Sequence, residues 1–126
     1  MKKIVVVALF VGLAGCSKKP SASEVCSKLE AEGVAAGCHE EKPLGLGAAA
    51  AERFDFSLPS VPGKSGSVYT FAKQDTFKTT VDSYERAALL AGPHRYGSEK
   101  ALVFVQVNSG ASLETGKKIK GIVEAL

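Results

Sequence analysis

Ala101-Leu102-Val103-Phe104-Val105-Gln106-Val107 is the stretch on which the fold turns. It is rich in β-branched and aromatic residues, and its near-continuous apolar character predicts a central strand covered on both sides or close to it. A strand of that kind needs neighbouring strands and helices to cover it, and the chain supplies both on either side. Downstream, Asn108-Ser109-Gly110 reads as a turn and Ser112 as the N-cap of a last helix, with Leu113, Ile119, Ile122, Val123 and Leu126 as its buried stripe. Upstream, Asp75 is the expected N-cap of a helix whose Phe77, Val81, Tyr84 and Ala88 recur at spacings of four, three and four, with Lys78, Asp82 and Glu85 turned to water. Gly92-Pro93 ends that helix, and Tyr96 to Lys100 leads into the central strand.

Further upstream, Arg53-Phe54-Asp55-Phe56-Ser57-Leu58 alternates strictly, which places Phe54, Phe56 and Leu58 on one face of a half-buried strand. Pro59 to Ser67, with two prolines and two glycines, reads as an exposed loop, and Val68–Ala72 as the strand that completes a long-looped hairpin. Pro43 to Gly47 is a connector, followed by one helical turn over Ala48–Glu52. A short helix opens the domain, with Ser23 as N-cap, Glu24 in its first turn, Val25, Cys26 and Leu29 on one face, and Gly33 as its stop. Val34–His39 returns from it as a short strand. The order predicts an α+β fold: a small two-layer sandwich, a mainly antiparallel sheet packed by about three helices, in a single domain over residues 23–126. No internal repeat is evident.

The N-terminus has a different character. Lys2 and Lys3 precede an uncharged apolar run from Ile4 to Gly12, and small residues lead to Cys16, the layout of a secretory signal. The run is too short to span a bilayer, which takes roughly 20 residues. Leu13-Ala14-Gly15-Cys16 resembles the lipobox of bacterial lipoproteins. That resemblance implies cleavage before Cys16, acylation of its thiol, and membrane lipid as the first partner of the mature chain. Several acyl chains make a lasting anchor where one holds only marginally, since each buried methylene contributes about 0.8 kcal/mol. A serine directly after the cysteine, here Ser17, resembles the pattern of lipoproteins sent on to the outer membrane. The expectation is therefore a removed signal over residues 1–15, a lipidated flexible tether over 16–22, and a domain facing the periplasm. Lys18 and Lys19 in the tether sit where they can meet anionic headgroups.

Assigning Cys16 to lipid resolves an odd cysteine count. Cys26 and Cys38 remain as a pair in a compartment where disulfides persist, closing a loop of about 13 residues for roughly 3 kcal/mol of stabilisation. Losing residues 1–15 also removes two lysines, so 14 basic residues face 13 acidic ones. That balance, without a basic face carrying interleaved aromatics, excludes nucleic acid as an expected partner.

Candidate chemistry is sparse. Gly63-Lys64-Ser65 imitates the end of a phosphate-binding loop, but Leu58 stands where the first glycine belongs and a strand follows where a helix is needed. Cys26 with Cys38-His39-Glu40-Glu41 offers zinc-ligand types, yet no C-x2-C spacing occurs and oxidation favours the disulfide, so no metal is expected. No G-x-S-x-G is present to build a serine nucleophile. Lys117, Lys118 and Lys120 read as a solvated helix face. His94, with Arg95 and Tyr96, is the best candidate binding patch, against the plainer reading of a helix-end histidine at a surface turn. The functional expectation is a non-catalytic binding or accessory module of the cell envelope, contacting an envelope protein or polymer and using no cofactor. The alternative is a small envelope hydrolase or enzyme inhibitor with His94 or the 59–67 loop at its site.

Overall fold

The computed structural model describes residues 18–126. Cys16 and residues 1–15, read above as a signal, lie outside them. Five strands and four helices follow in the order α1 (Ala22–Ala31), β1 (Ala36–Glu41), β2 (Glu52–Ser57), β3 (Ser65–Thr70), α2 (Gln74–Arg86), the single-turn α3 (Ala88–Ala91), β4 (His94–Ser98), β5 (Val103–Val107) and α4 (Leu113–Glu124). All strands pair antiparallel in one sheet of order β1-β2-β3-β5-β4. The fold is α+β as expected, and β5 is an interior strand with β3 and β4 on either side. No helix among the described residues is long and apolar enough to cross a membrane.

The sheet and the layer of α1 and α4 enclose the larger core. Phe56, Leu58, Val68, Val103, Val105 and Val107 point from the strands toward Val25, Cys26 and Leu29 of α1 and Ile119 and Val123 of α4. Phe54 joins them half-buried, so the alternation read for β2 gives the correct face. The opposite, outer face is covered in part by α2, over a second cluster of Tyr69, Phe71, Phe77, Tyr84, Leu102 and Phe104. The Cys26–Cys38 disulfide ties β1 to α1, with Cα atoms 6.2 Å apart.

Several local boundaries differ from the sequence reading. The first helix is capped by Ser21 and not Ser23: the Ser21 hydroxyl accepts from the Glu24 amide at 3.1 Å while the Glu24 carboxylate accepts from the Ser21 amide at 2.8 Å, a full capping box. The ordered domain thus begins two residues early. Within the segment read as a tether, the Lys19 amine donates to the Lys100 carbonyl at 3.1 Å. The helical turn read over Ala48–Glu52 is instead a 3-10 turn at Gly45–Gly47, and Glu52 begins β2. Gly47 lies so close to the Tyr69 ring that a Cβ would stand 2.4 Å from it, which fixes the turn against the outer face. β3 starts at Ser65, so the loop after β2 ends at Lys64, closed by Leu58 donating to the Lys64 carbonyl at 3.0 Å. α2 begins at Gln74 with Asp75 inside its first turn, where its charge favours the dipole, and no side chain caps it. Leu113 is 79% exposed because it is the first residue of α4 and points away from the sheet.

The largest departure is β4. His94 to Ser98 forms an edge strand where a surface turn and connector were read. Its core-facing positions are His94, Tyr96 and Ser98, opposite Val107, Val105 and Val103 of β5. Polar residues in alternate positions carry no apolar period, so the strand was invisible to a reading based on hydrophobic alternation.

Candidate functional site

His94, Arg95 and Tyr96 do not share a surface. Adjacent strand residues point to opposite faces, so His94 and Tyr96 lie under α4 while Arg95 lies on the outer face. His94 is only 5% exposed. Its Nε2 lies 2.9 Å from the Ala111 carbonyl oxygen, which can only accept, so Nε2 carries the proton. Nδ1 then accepts from the Tyr96 hydroxyl, also at 2.9 Å. Burial pushes the Tyr96 phenol above its ordinary range, so that hydroxyl keeps its proton. Gly116 of α4 packs directly on the pair: a Cβ there would stand 2.5 Å from the Tyr96 oxygen and 2.6 Å from His94 Nδ1. His94 is neither a surface histidine nor a free base. Nε2 ties β4 to the Ala111 carbonyl just ahead of α4, while Nδ1 is engaged within β4 by Tyr96.

Arg95, on the same edge strand, faces the opposite side of the sheet. It donates to the Gly92 carbonyl and, at 3.3 Å, to Glu85 of α2, while its buried Nε has no hydrogen-bond partner. The loop after β2 is an ordered turn with exposed polar residues and presents no nucleophile held by a base.

The concentration of polar chemistry lies instead on the outer face of β1, β2 and β3, beside the area that α2 covers. The register makes His39, Asp55, Ser67, Gln106 and Arg95 cross-strand partners in sequence, a polar row running across all five strands. Cross-strand neighbours stand about 4.5–5.5 Å apart at Cβ, so such rows interact side chain to side chain. The next row, Glu41, Arg53, Tyr69 and Phe104, passes from charge into the aromatic cluster.

Arg53 and Asp55, two apart on β2, form a two-pronged pair: Nε donates to Oδ1 at 2.8 Å and Nη2 to Oδ2 at 2.7 Å. Nη1 of Arg53 donates to the Lys42 carbonyl at 3.1 Å, and the Ser67 hydroxyl donates to Asp55 Oδ1 at 2.7 Å. Burial alone would raise the Asp55 carboxyl, but the hydrogen bonds from Arg53 and Ser67 and the guanidinium charge outweigh it and hold it below the usual carboxylate range. A carboxylate so stabilised is a weak base, and Ser67, 8% exposed, spends its proton on it. The trio is a fixed charge pattern and lacks the base a serine nucleophile needs.

His39 stands beside this trio on β1. Its Nδ1 lies 2.9 Å from the Gly37 carbonyl oxygen and therefore carries a proton, and Nε2 lies 3.1 Å from Glu41 Oε2. The Gly37 hydrogen bond, ahead of the Glu41 and Asp55 charges, moves the imidazole above its ordinary value. Among the described residues, His39, Glu41 and Asp55 form a group able to hold a metal ion, with one ligand atom from each lying within 4.8 Å of the others. The sequence reading had His39 and Glu41 in view but grouped them with the cysteines. Asp55, sixteen positions away, joins them only through strand register.

No protein-family model matches the chain, and no curated protein or solved structure matches it.

Proposed function

We propose that the chain is a bacterial lipoprotein, acylated at Cys16 and held at the outer membrane facing the periplasm, and that its domain is a non-catalytic binding module of the cell envelope. The contact surface in this reading is the uncovered polar half of the outer sheet face, around Arg53, Asp55 and Ser67. Four residues lie between Cys16 and the Ser21 cap, five residue steps with a reach of at most roughly 17 Å, so the domain stands directly on the headgroups. The partner is an envelope protein or polymer within that narrow layer.

The single observation that carries the binding reading is the polar row itself. Its charges are held in place by short hydrogen bonds on rigid strands, and they face outward beside an aromatic floor. Preorganised charge of this kind recognises a complementary partner at little ordering cost. It supplies no activated nucleophile.

Two experiments test the two halves. Cys16→Ala accumulates as an uncleaved precursor that takes up no radiolabelled palmitate; normal processing of that variant rules out the anchor. A photo-crosslinking residue at Ser57, exposed on the outer face of β2, captures a defined envelope partner in intact cells, while the same residue at Lys117 on α4 does not. Equal capture from both positions, or none from Ser57, contradicts the contact surface.

A further inference from the structure

The geometry points to a binding site for a divalent transition metal of zinc's class at the β1 edge, with His39 Nε2, Glu41 and Asp55 as its protein ligands. Strand register does the first part of the work. His39 lies directly opposite Asp55, and Glu41 follows two residues along the same face, so three donors sit on one rigid patch without any loop. A β-bulge between Ala36 and His39, with Gly37 at φ 66°, sets the direction of the imidazole, a recurrent role for bulges beside functional sites.

The surrounding hydrogen bonds are those a metal site requires. Metal-ligating histidines donate their second ring nitrogen to a carbonyl or carboxylate, which fixes tautomer and orientation. The Gly37 carbonyl does this for His39 from outside the donor set, and it leaves Nε2 as the nitrogen facing Glu41. Asp55 is oriented in the same manner. Its Oδ1 accepts from Arg53 Nε and Ser67 Oγ, whereas Oδ2 accepts from Arg53 Nη2 alone and keeps one lone pair. Arg53 thus serves as an outer support that balances part of the charge of two carboxylates, and the ion takes the position left on Oδ2.

Zinc bonded at about 2.0–2.2 Å to each ligand needs donor atoms roughly 3.4 Å apart. The His39–Glu41 separation is already 3.1 Å, and with one ligand atom from each residue within 4.8 Å of the others the set closes by small side-chain adjustments that keep the Gly37 hydrogen bond. The donor set selects the class of ion: an imidazole suits zinc, nickel, cobalt and copper and not the hard cations calcium and magnesium. With three protein ligands the fourth position is open, available to water or to a carboxylate of the envelope partner.

The test is calorimetric titration of the full chain in detergent with Zn2+, paired with the absorption spectrum of the Co2+ form. The wild type binds one equivalent, and cobalt gives the visible bands of a four- or five-coordinate site with nitrogen and oxygen ligands. His39→Ala abolishes the saturable heat and the bands, with far-UV circular dichroism unchanged. Ser67→Ala, which removes an outer support only, weakens zinc about tenfold. Glu40→Gln, on the opposite face of the same strand, leaves affinity unchanged. Undiminished zinc binding by His39→Ala, or a wild type with no saturable binding up to millimolar zinc, overturns the site. The readout is independent of the crosslinked partner, so failure here leaves the binding-module reading standing and failure there leaves the metal site standing.

Discussion

β1 and β4 are the two edges of one sheet, each carries one of the chain's two histidines, and they are held by opposite means. β4 is secured by side-chain packing: His94, Tyr96 and Ser98 turn inward, α4 lies across them, and both His94 ring nitrogens are engaged, Nε2 by the Ala111 carbonyl ahead of α4 and Nδ1 by Tyr96 of the same strand. β1 is exposed along nearly its whole length and is secured covalently through Cys38 to α1 and by its ladder to β2. An edge held by packing consumes the hydrogen-bonding capacity of its polar residues. An edge held by a covalent staple leaves its outward side chains available, and there His39 meets Asp55. What each histidine is left to contact is therefore decided by what else its strand must do.

The largest effect that would break this contrast is removal of the staple. Replacing Cys26 and Cys38 by serine costs about 3 kcal/mol in urea unfolding, and amide exchange accelerates first along β1 while β4 stays protected. Equal acceleration at both edges would show that β1 does not depend on the disulfide. Next in size is Gly116→Ala, which forces a methyl against His94 and Tyr96. Overpacking of this kind costs about 2 kcal/mol, and zinc affinity at His39 stays unchanged. A variant as stable as the wild type would mean that α4 does not bear on β4 as closely as described.

A smaller effect belongs to Asp55. Its folded carboxyl is depressed below the ordinary 3.8, so its contribution to stability is present above that pH and is lost as pH falls through the lower folded value. Asp55→Asn therefore flattens the acid limb of the stability curve below about pH 4 and removes the contribution at neutral pH. An unchanged acid limb would disprove the pairing with Arg53. The smallest effect is His39→Ala, which leaves thermal unfolding unaltered because the ring is exposed and anchors no packing, and yet loses zinc.

The same contrast explains what was legible in the amino-acid order. β2 and β5 announce themselves by apolar period and continuity, and Cys26 and Cys38 by elimination once Cys16 is set aside for lipid. The Ser112 cap was also plain, and the Ser21-Ala22-Ser23-Glu24 capping box was present in the sequence, one S-x-x-E spacing that the choice of Ser23 passed over. β4 left no such trace, because its inward residues satisfy the interior by hydrogen bonds instead of by apolar surface. The candidate metal site was out of reach for another reason. His39 and Asp55 become neighbours only through a register that depends on the bulge at Gly37 and on the staple, and neither quantity is local in sequence.

One measurement tests the division between the two edges most directly: long-range 1H–15N correlation spectra of the two imidazoles during titration with Zn2+. The account predicts that the His39 ring nitrogens shift as zinc binds, while the His94 ring nitrogens, held by Ala111 and Tyr96, do not move. Movement of His94 with His39 unmoved, or a titration in which neither ring responds, would contradict it.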